Sequence, residues 1–326
     1  MEQTKIAALA IAVVVVASVA LVAVWNPASP PTVRIGYLSQ DLHQLALRVA
    51  VEKGWFDEAG IKVELAQFAN GAYEMDGFLA GQIDMGYLGV APALTKSINQ
   101  NIEITILAAV NLEGSALMVS KTEYDAGNVR NVSDLVGKII LQPGPSTVQN
   151  FLIRLALDQF GLSVDNVSLE TSRPQDMAIS LSAEKPAFIA WEPFPSLAEY
   201  EGLAVPLLLS GQIWPRHPCC VVASANTFLE EHPDIVQKVV DIHKRAEEWI
   251  VNHPDEALQI AIDWLGVASE PVETAFNRII YDYDVNRTGV EMYLEFLIDQ
   301  GLVTMGLDQV DTFLNGFINT TFVESA

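Results

Sequence analysis

The sequence predicts an α/β fold of two similar lobes, each a mostly parallel sheet flanked by helices, with a helical C-terminal region. Three observations predict it. Strand-like and helix-like stretches alternate through the first two thirds of the chain, a run of these units recurs in the second half, and residues 234–326 turn mostly helical. Such alternation is the pattern of βαβ crossovers, which set strands side by side in parallel. With 326 residues, the chain can bury two medium-sized cores.

Two segments precede the first strand. Residues 6–25, IAALAIAVVVVASVALVAVW, carry no charge, and a run of about 20 such residues crosses a hydrocarbon core of about 30 Å. Lys5 before it and Trp25 at its far edge suit a short cytoplasmic end and an interfacial anchor. Secretory signals have shorter apolar cores, of about 7–15 residues, and a small-residue cleavage site. The expectation is an uncleaved signal anchor, with a cleaved signal as the alternative; either exports the rest of the chain. NPASPPT, residues 26–32, follows as a stiff proline spacer.

VRIGYL (33–38) then reads as a buried strand, and QDLHQLALRVAVEKGWFDEAG as a helical stretch ending at Gly60. IKVELAQF is a strand, GAYEMDGFLAGQ helical, IDMGYLG a strand, APALTKSINQN a helix and IEITILAAV a strand. The order then recurs: VGKIILQ strand, PGPST loop, VQNFLIRLALDQFG helix, VDNVSLETS strand, PQDMAISLSA helix, PAFIAWEPF strand. Whole α/β units are repeated, so two lobes are expected, residues 32–115 plus 216–326 and residues 116–215, after an anchor and spacer at 1–31.

Composition excludes several functions. Half the residues are hydrophobic and only 18% charged, as in a folded protein. A net charge of −23 without any Lys/Arg cluster argues against nucleic acid as a partner. The two cysteines, Cys219 and Cys220, are adjacent, so no disulfide framework exists. The histidines show neither HExxH spacing nor a CxxC partner, and no GxSxG elbow or P-loop occurs, so no metal, cofactor or catalytic residue is expected.

In open α/β sheets ligands gather beyond the carboxyl ends of strands. That rule selects the loops SQDLH (39–43), ANGAY (69–73), GYLGVAP (86–92), VNLEG (110–114), PGPST (143–147), WEPF (191–194) and RHPCC (216–220). Ser146 and Thr147 open a helix whose free N–H groups favour an anion; otherwise PGPST is an ordinary capping turn. Tyr87 and Gly89 offer a similar turn with a ring that can stack. Asp41 and His43, beside Gln40, are a proton-transfer or ligating pair, or else a solvated helix cap. The thiols of RHPCC, with His217 as a basic neighbour, are either reactive or small buried hydrophobes. Trp191 and Glu192 form a ligand wall, an acid site or simply a strand end. Asn111 completes the set.

Taken together, IGYL (35–38), the block EKGWFDEAGIKVELAQFANGAYEMDGFLAGQIDMGYLGVAPAL (52–94), VSDLVGKIILQPGPSTVQNFL (132–152), AFIAWEPFPSLAE (187–199) and the tail 224–258 resemble the periplasmic substrate-binding proteins of ABC transporters in the nitrate/sulfonate/taurine group, which includes binders of pyrimidine thiamine precursors. The resemblance spans nearly everything after residue 32. It implies a type II periplasmic-binding-protein fold whose lobes close by a hinge over a small solute, a monomer that passes the solute to a permease driven by an ATPase, and no enzymatic activity. The expected solute is a sulfonate-, nitrate- or taurine-like anion; a pyrimidine precursor is the alternative, served by Tyr37, Tyr87, Trp191, Asp41 and Glu192. The rival from another class is a pyrimidine-synthase-like enzyme on the same fold. The implied ligand-binding residues are Gln40, Asp41, His43, Tyr87, Gly89, Asn111, Ser146, Thr147, Trp191, Glu192 and His217. The expected location is the outer face of the cell membrane.

Overall fold

The computed structural model describes residues Thr32–Ala326, in which two mixed sheets carry the chain; the expected anchor at 6–25 lies outside the described residues. The first sheet is built from β1 (Thr32–Leu38), β2 (Lys62–Phe68), β3 (Met85–Gly89), β4 (Ile104–Glu113), β10 (Pro218–Ala225) and β11 (Ile279–Tyr281), in the order β11-β4-β10-β3-β1-β2. The second contains β5 (Ser115–Ser120), β6 (Ile139–Gln142), β7 (Ser168–Thr171), β8 (Ala187–Trp191) and β9 (Ala204–Leu209), in the order β7-β6-β8-β5-β9. Among the described residues no helix is long and apolar enough to cross a membrane.

The expected parallel pairing holds for β1 with β2 and β3, and for β6 with β7 and β8, with Ile35 level with both Leu65 and Met85. The remaining pairs are antiparallel, so each sheet is mixed rather than mostly parallel. The reason lies in the crossings. The chain passes from β4 into β5 through Gly114, and from the second sheet back into β10 after residue 209. A strand arriving from the other sheet enters at the edge where its neighbours end, and therefore runs against them. β5 and β10 are those two strands.

The helices used below are α1 (Leu45–Glu52), α2 (Gly71–Leu79), α3 (Val90–Gln100), α4 (Val148–Gln159), α5 (Phe194–Tyr200), α6 (Pro233–Asn252), α7 (Ser269–Phe276) and α8 (Arg287–Asp299). α6 is amphipathic, packs against α1 and buries Val236, Val239 and Val240 in the same core as Ile35, Met85, Leu88, Ile106 and Val222 of the first sheet. Two local expectations change. Within the expected helical region 234–326, Ile279–Tyr281 instead forms strand β11, because it finds an open edge on β4. PQDMAISLSA is one helical turn, Pro174–Met177, and a 3-10 turn.

The C-terminal helices also reach the second sheet. α7 packs on α5, and the Phe151 ring of α4 lies 4.3 Å from both Tyr293 and Phe296 of α8. Thr32–Ala326 thereby forms one compact unit.

Candidate functional site

Three helix N-termini converge where the strands end. Asn70 caps α2, its Oδ1 accepting from the N–H groups of Ala72 at 3.0 Å and Tyr73 at 3.1 Å. Gly89 precedes α3 directly, and Thr147 caps α4 through a 3.3 Å bond from the Asn150 N–H. Asn70, Gly89 and Thr147 all line one inner cavity of about 30 Å³. Asp41, His43, Cys219 and Cys220 line it from the first sheet, and Val148, Gln149 and Trp191 from the second. An outer cleft of about 520 Å³, which includes Gln40, Tyr73 and Arg173, shares Asn70 and Trp191 with it. Trp191 is only 5% exposed, packs edge-on against Phe194, and its Nε1 finds no hydrogen-bond partner among the described residues. An orphaned buried donor is costly, so one on a residue that lines a cavity suits an acceptor atom of a ligand.

The sequence-predicted residues divide into two groups. Asp41, His43, Gly89, Thr147 and Trp191 meet at the inner cavity, and Gln40, whose φ of 53° turns the loop, lines the outer cleft. Asp41 and His43 are each 1% exposed, so they are no solvated cap. The others lie off the cavity. Tyr87 points into the first core, 3.3 Å from His243 Nδ1, while His243 Nε2 donates to Ala109 O at 2.7 Å; burial holds His243 down at about 4, hence neutral. His217 is stacked on Trp214, and burial lowers its pKa. Ser146 is half-buried in the loop before α4.

Glu192 is fully buried and braces the wall. Its carboxylate accepts from the Ser196 N–H at 3.1 Å and from Arg278 at 3.2 Å, while Arg278 also reaches Glu199 at 2.6 Å. Its backbone O accepts from the Leu42 N–H at 3.2 Å, tying the strand end to the loop that carries Asp41. Burial raises the Glu192 pKa and Arg278 opposes that rise; the ion-pair geometry favours the ionised form.

One cluster escapes sequence reading. Cys219 Sγ lies 3.6 Å and Cys220 Sγ 3.7 Å from His43 Nδ1, with the two sulfurs 3.9 Å apart. Neighbouring side chains on a strand normally face opposite ways. Here the pairing of β10 with β4 slips at Cys220, and such a bulge re-aims a side chain. Asn111 supports the bulge, its Oδ1 accepting from the Cys220 N–H at 3.2 Å. On the other side of the imidazole, Nε2 donates to Gly114 O at 2.8 Å, which leaves Nδ1 toward the thiols. Only glycine fits there: φ is +83°, and a Cβ would come within 2.3 Å of His43 Nε2. Burial would lower the His43 pKa, but Asp41, 3.4 Å away, and Cys219 hold it up at about 10. Burial in turn pushes Asp41 up to about 6. The hydrogen bond from Cys220 takes the Cys219 thiol well below its usual range, against burial, and raises Cys220. Two adjacent cysteines are the only sequence signal for this cluster; the bulge has none.

Comparison with known proteins agrees with this geometry. A family model described as the NMT1-like family matches residues 26–266. A putative aliphatic sulfonates-binding protein of Bacillus subtilis is 26% identical over 304 residues, covering 90% of this chain and 88% of its own. The crystal structure of the periplasmic nitrate-binding protein NrtA from Synechocystis PCC 6803 superposes with a TM-score of 0.81 at 16% identity, over 90% of this chain and 87% of that one. A ligand-binding component of an ABC-type import system from Staphylococcus aureus, with zinc bound, superposes with a TM-score of 0.78 at 19% identity, over 91% and 99%. The fold is therefore that of the periplasmic binding proteins.

Proposed function

The chain belongs to the NMT1-like family, and from that premise we propose that it is the extracytoplasmic solute-binding component of an ABC importer. The observation that carries the reading is the convergence of three helix N-termini, from both sheets, on one cavity between the strand ends. Each helix end presents the positive end of its dipole, so together they favour an anion. The Trp191 Nε1 adds a donor in want of an acceptor. Asp41 favours a solute that carries an amino group beside the anion, as taurine does; nitrate and simple sulfonates engage the helix ends alone.

In this reading, residues 32–115 with 216–326 form one lobe and 116–215 the other, and they close by a hinge at the two crossings. The monomer hands its solute to a permease and its ATPase. Residues 6–25 hold it at the outer membrane face, or act as a cleaved export signal. No catalysis is involved.

Thermal-shift screening of the full chain against taurine, short alkanesulfonates, nitrate and aminopyrimidines tests the proposal. A true solute at 100 times its Kd stabilises the fold by about 2.7 kcal/mol and is recovered unchanged. Turnover of any hit would overturn the binding-protein reading in favour of an enzyme.

A further inference from the structure

We propose that His43, Cys219 and Cys220 bind a thiophilic divalent metal ion of the zinc class, with a fourth coordination position open to the inner cavity. The geometry argues first. A tetrahedral zinc with bonds of about 2.3 Å to sulfur and about 2.0–2.1 Å to imidazole nitrogen sets its sulfurs about 3.8 Å apart and each sulfur about 3.5 Å from the nitrogen. The three donor atoms here are 3.9, 3.6 and 3.7 Å apart, the edges of such a polyhedron.

The supporting groups fit the same purpose. Ligating histidines characteristically donate their second ring N–H to a carbonyl, which fixes the tautomer and aims the free nitrogen. Gly114 O receives that N–H from His43, and the position excludes any larger residue. The bulge in β10, held by Asn111, brings two consecutive thiols to one side of the strand, which regular pairing forbids. All three residues line the cavity, which gives a solute access to their cluster, and an anion is a natural fourth ligand. Coordination releases two protons to solvent, that of the Cys220 thiol and the one held between Cys219 and His43 Nδ1, and involves no redox change. The metal inference needs only the cavity; a solute as fourth ligand rests on the importer reading.

The test uses the full chain, purified reduced and stripped with a chelator, and titrated with cobalt(II) as a spectroscopic probe for zinc. The expected result is one cobalt per chain, a thiolate-to-cobalt charge-transfer band in the near ultraviolet, and displacement by zinc. Cys219→Ser and Cys220→Ser should each halve that band and weaken metal affinity by more than about 100-fold, beyond the usual effect of changing a supporting group. Cadmium-113 NMR on the unmutated chain reads the ligand set without relying on a variant's folding; a shift in the range of two sulfurs and one nitrogen supports the site. Absence of the charge-transfer band in the fully reduced chain, or a band indifferent to both serine variants, overturns it. The solute screen is run in parallel. Solute-induced stabilisation without cobalt binding removes only the metal inference, whereas cobalt binding without any stabilising solute keeps it and removes the importer reading.

Discussion

Replacing Trp191 with phenylalanine separates a wall that only packs from a wall that binds. The indole is 5% exposed and belongs to a residue that lines the cavity, and its Nε1 is buried without a partner among the described residues. Trp191→Phe keeps an aromatic ring against Phe194 and removes that N–H. In the unliganded protein, the loss of some buried apolar area, about 1 kcal/mol, is offset by relief of an unsatisfied donor, about 1–3 kcal/mol. Unliganded stability should therefore move by no more than about 2 kcal/mol. In the complex, a hydrogen bond to a charged acceptor contributes about 1.5–3 kcal/mol, so the variant should bind an anionic solute about 10–100-fold more weakly. Trp191→Ala makes a poorer probe, because truncating a buried indole costs about 3–5 kcal/mol by itself. Denaturant melts of both proteins, with calorimetric titration of whichever anion the screen identifies, measure both quantities. Unchanged affinity in Trp191→Phe would show that the indole N–H does not meet the solute, and the donor argument would fail.

Two further expectations concern groups behind the wall. Arg278→Met leaves Glu192 buried without its cation, which typically costs about 3–5 kcal/mol; adding Glu192→Gln should recover much of the loss, and a double variant no more stable than the single one would contradict the bracing role. Glu74 lies fully buried over Gly36 and Gly86, and burial pushes its pKa well above 4.5. A raised acid stabilises the fold fully below its unfolded pKa, and that contribution fades as pH climbs toward the folded value. Each unit of that climb costs about 1.4 kcal/mol, so Glu74→Gln should gain on the parent steadily as pH rises above 4.5. Parallel stability curves for the two proteins would refute the assignment.

Local and repetitive features were legible without coordinates. Period-2 and period-3.6 patterns marked most strands and helices, and the repeated order of units announced two sheets. The rule that ligands sit beyond strand ends selected seven loops, of which six contribute to the inner cavity and only 110–114 does not. Asn70 and Thr147 are helix caps, a local role that their side chains announce in sequence. What strand alternation could not reveal was the direction of Tyr87, which turns into the core to meet His243, or the partner of Glu192, since Arg278 stands 86 residues away.

The sequence by itself determined the α/β class, the two-sheet repeat and the neighbourhood of the cavity, because these follow from local periodicity and from where strands end. Only the tertiary structure decided which strands run backwards, which polar side chains face the cavity rather than brace it, and that Cys219 and Cys220 share one imidazole. Those outcomes depend on crossings, a β-bulge and contacts between residues up to 177 positions apart, and no short-range pattern encodes them.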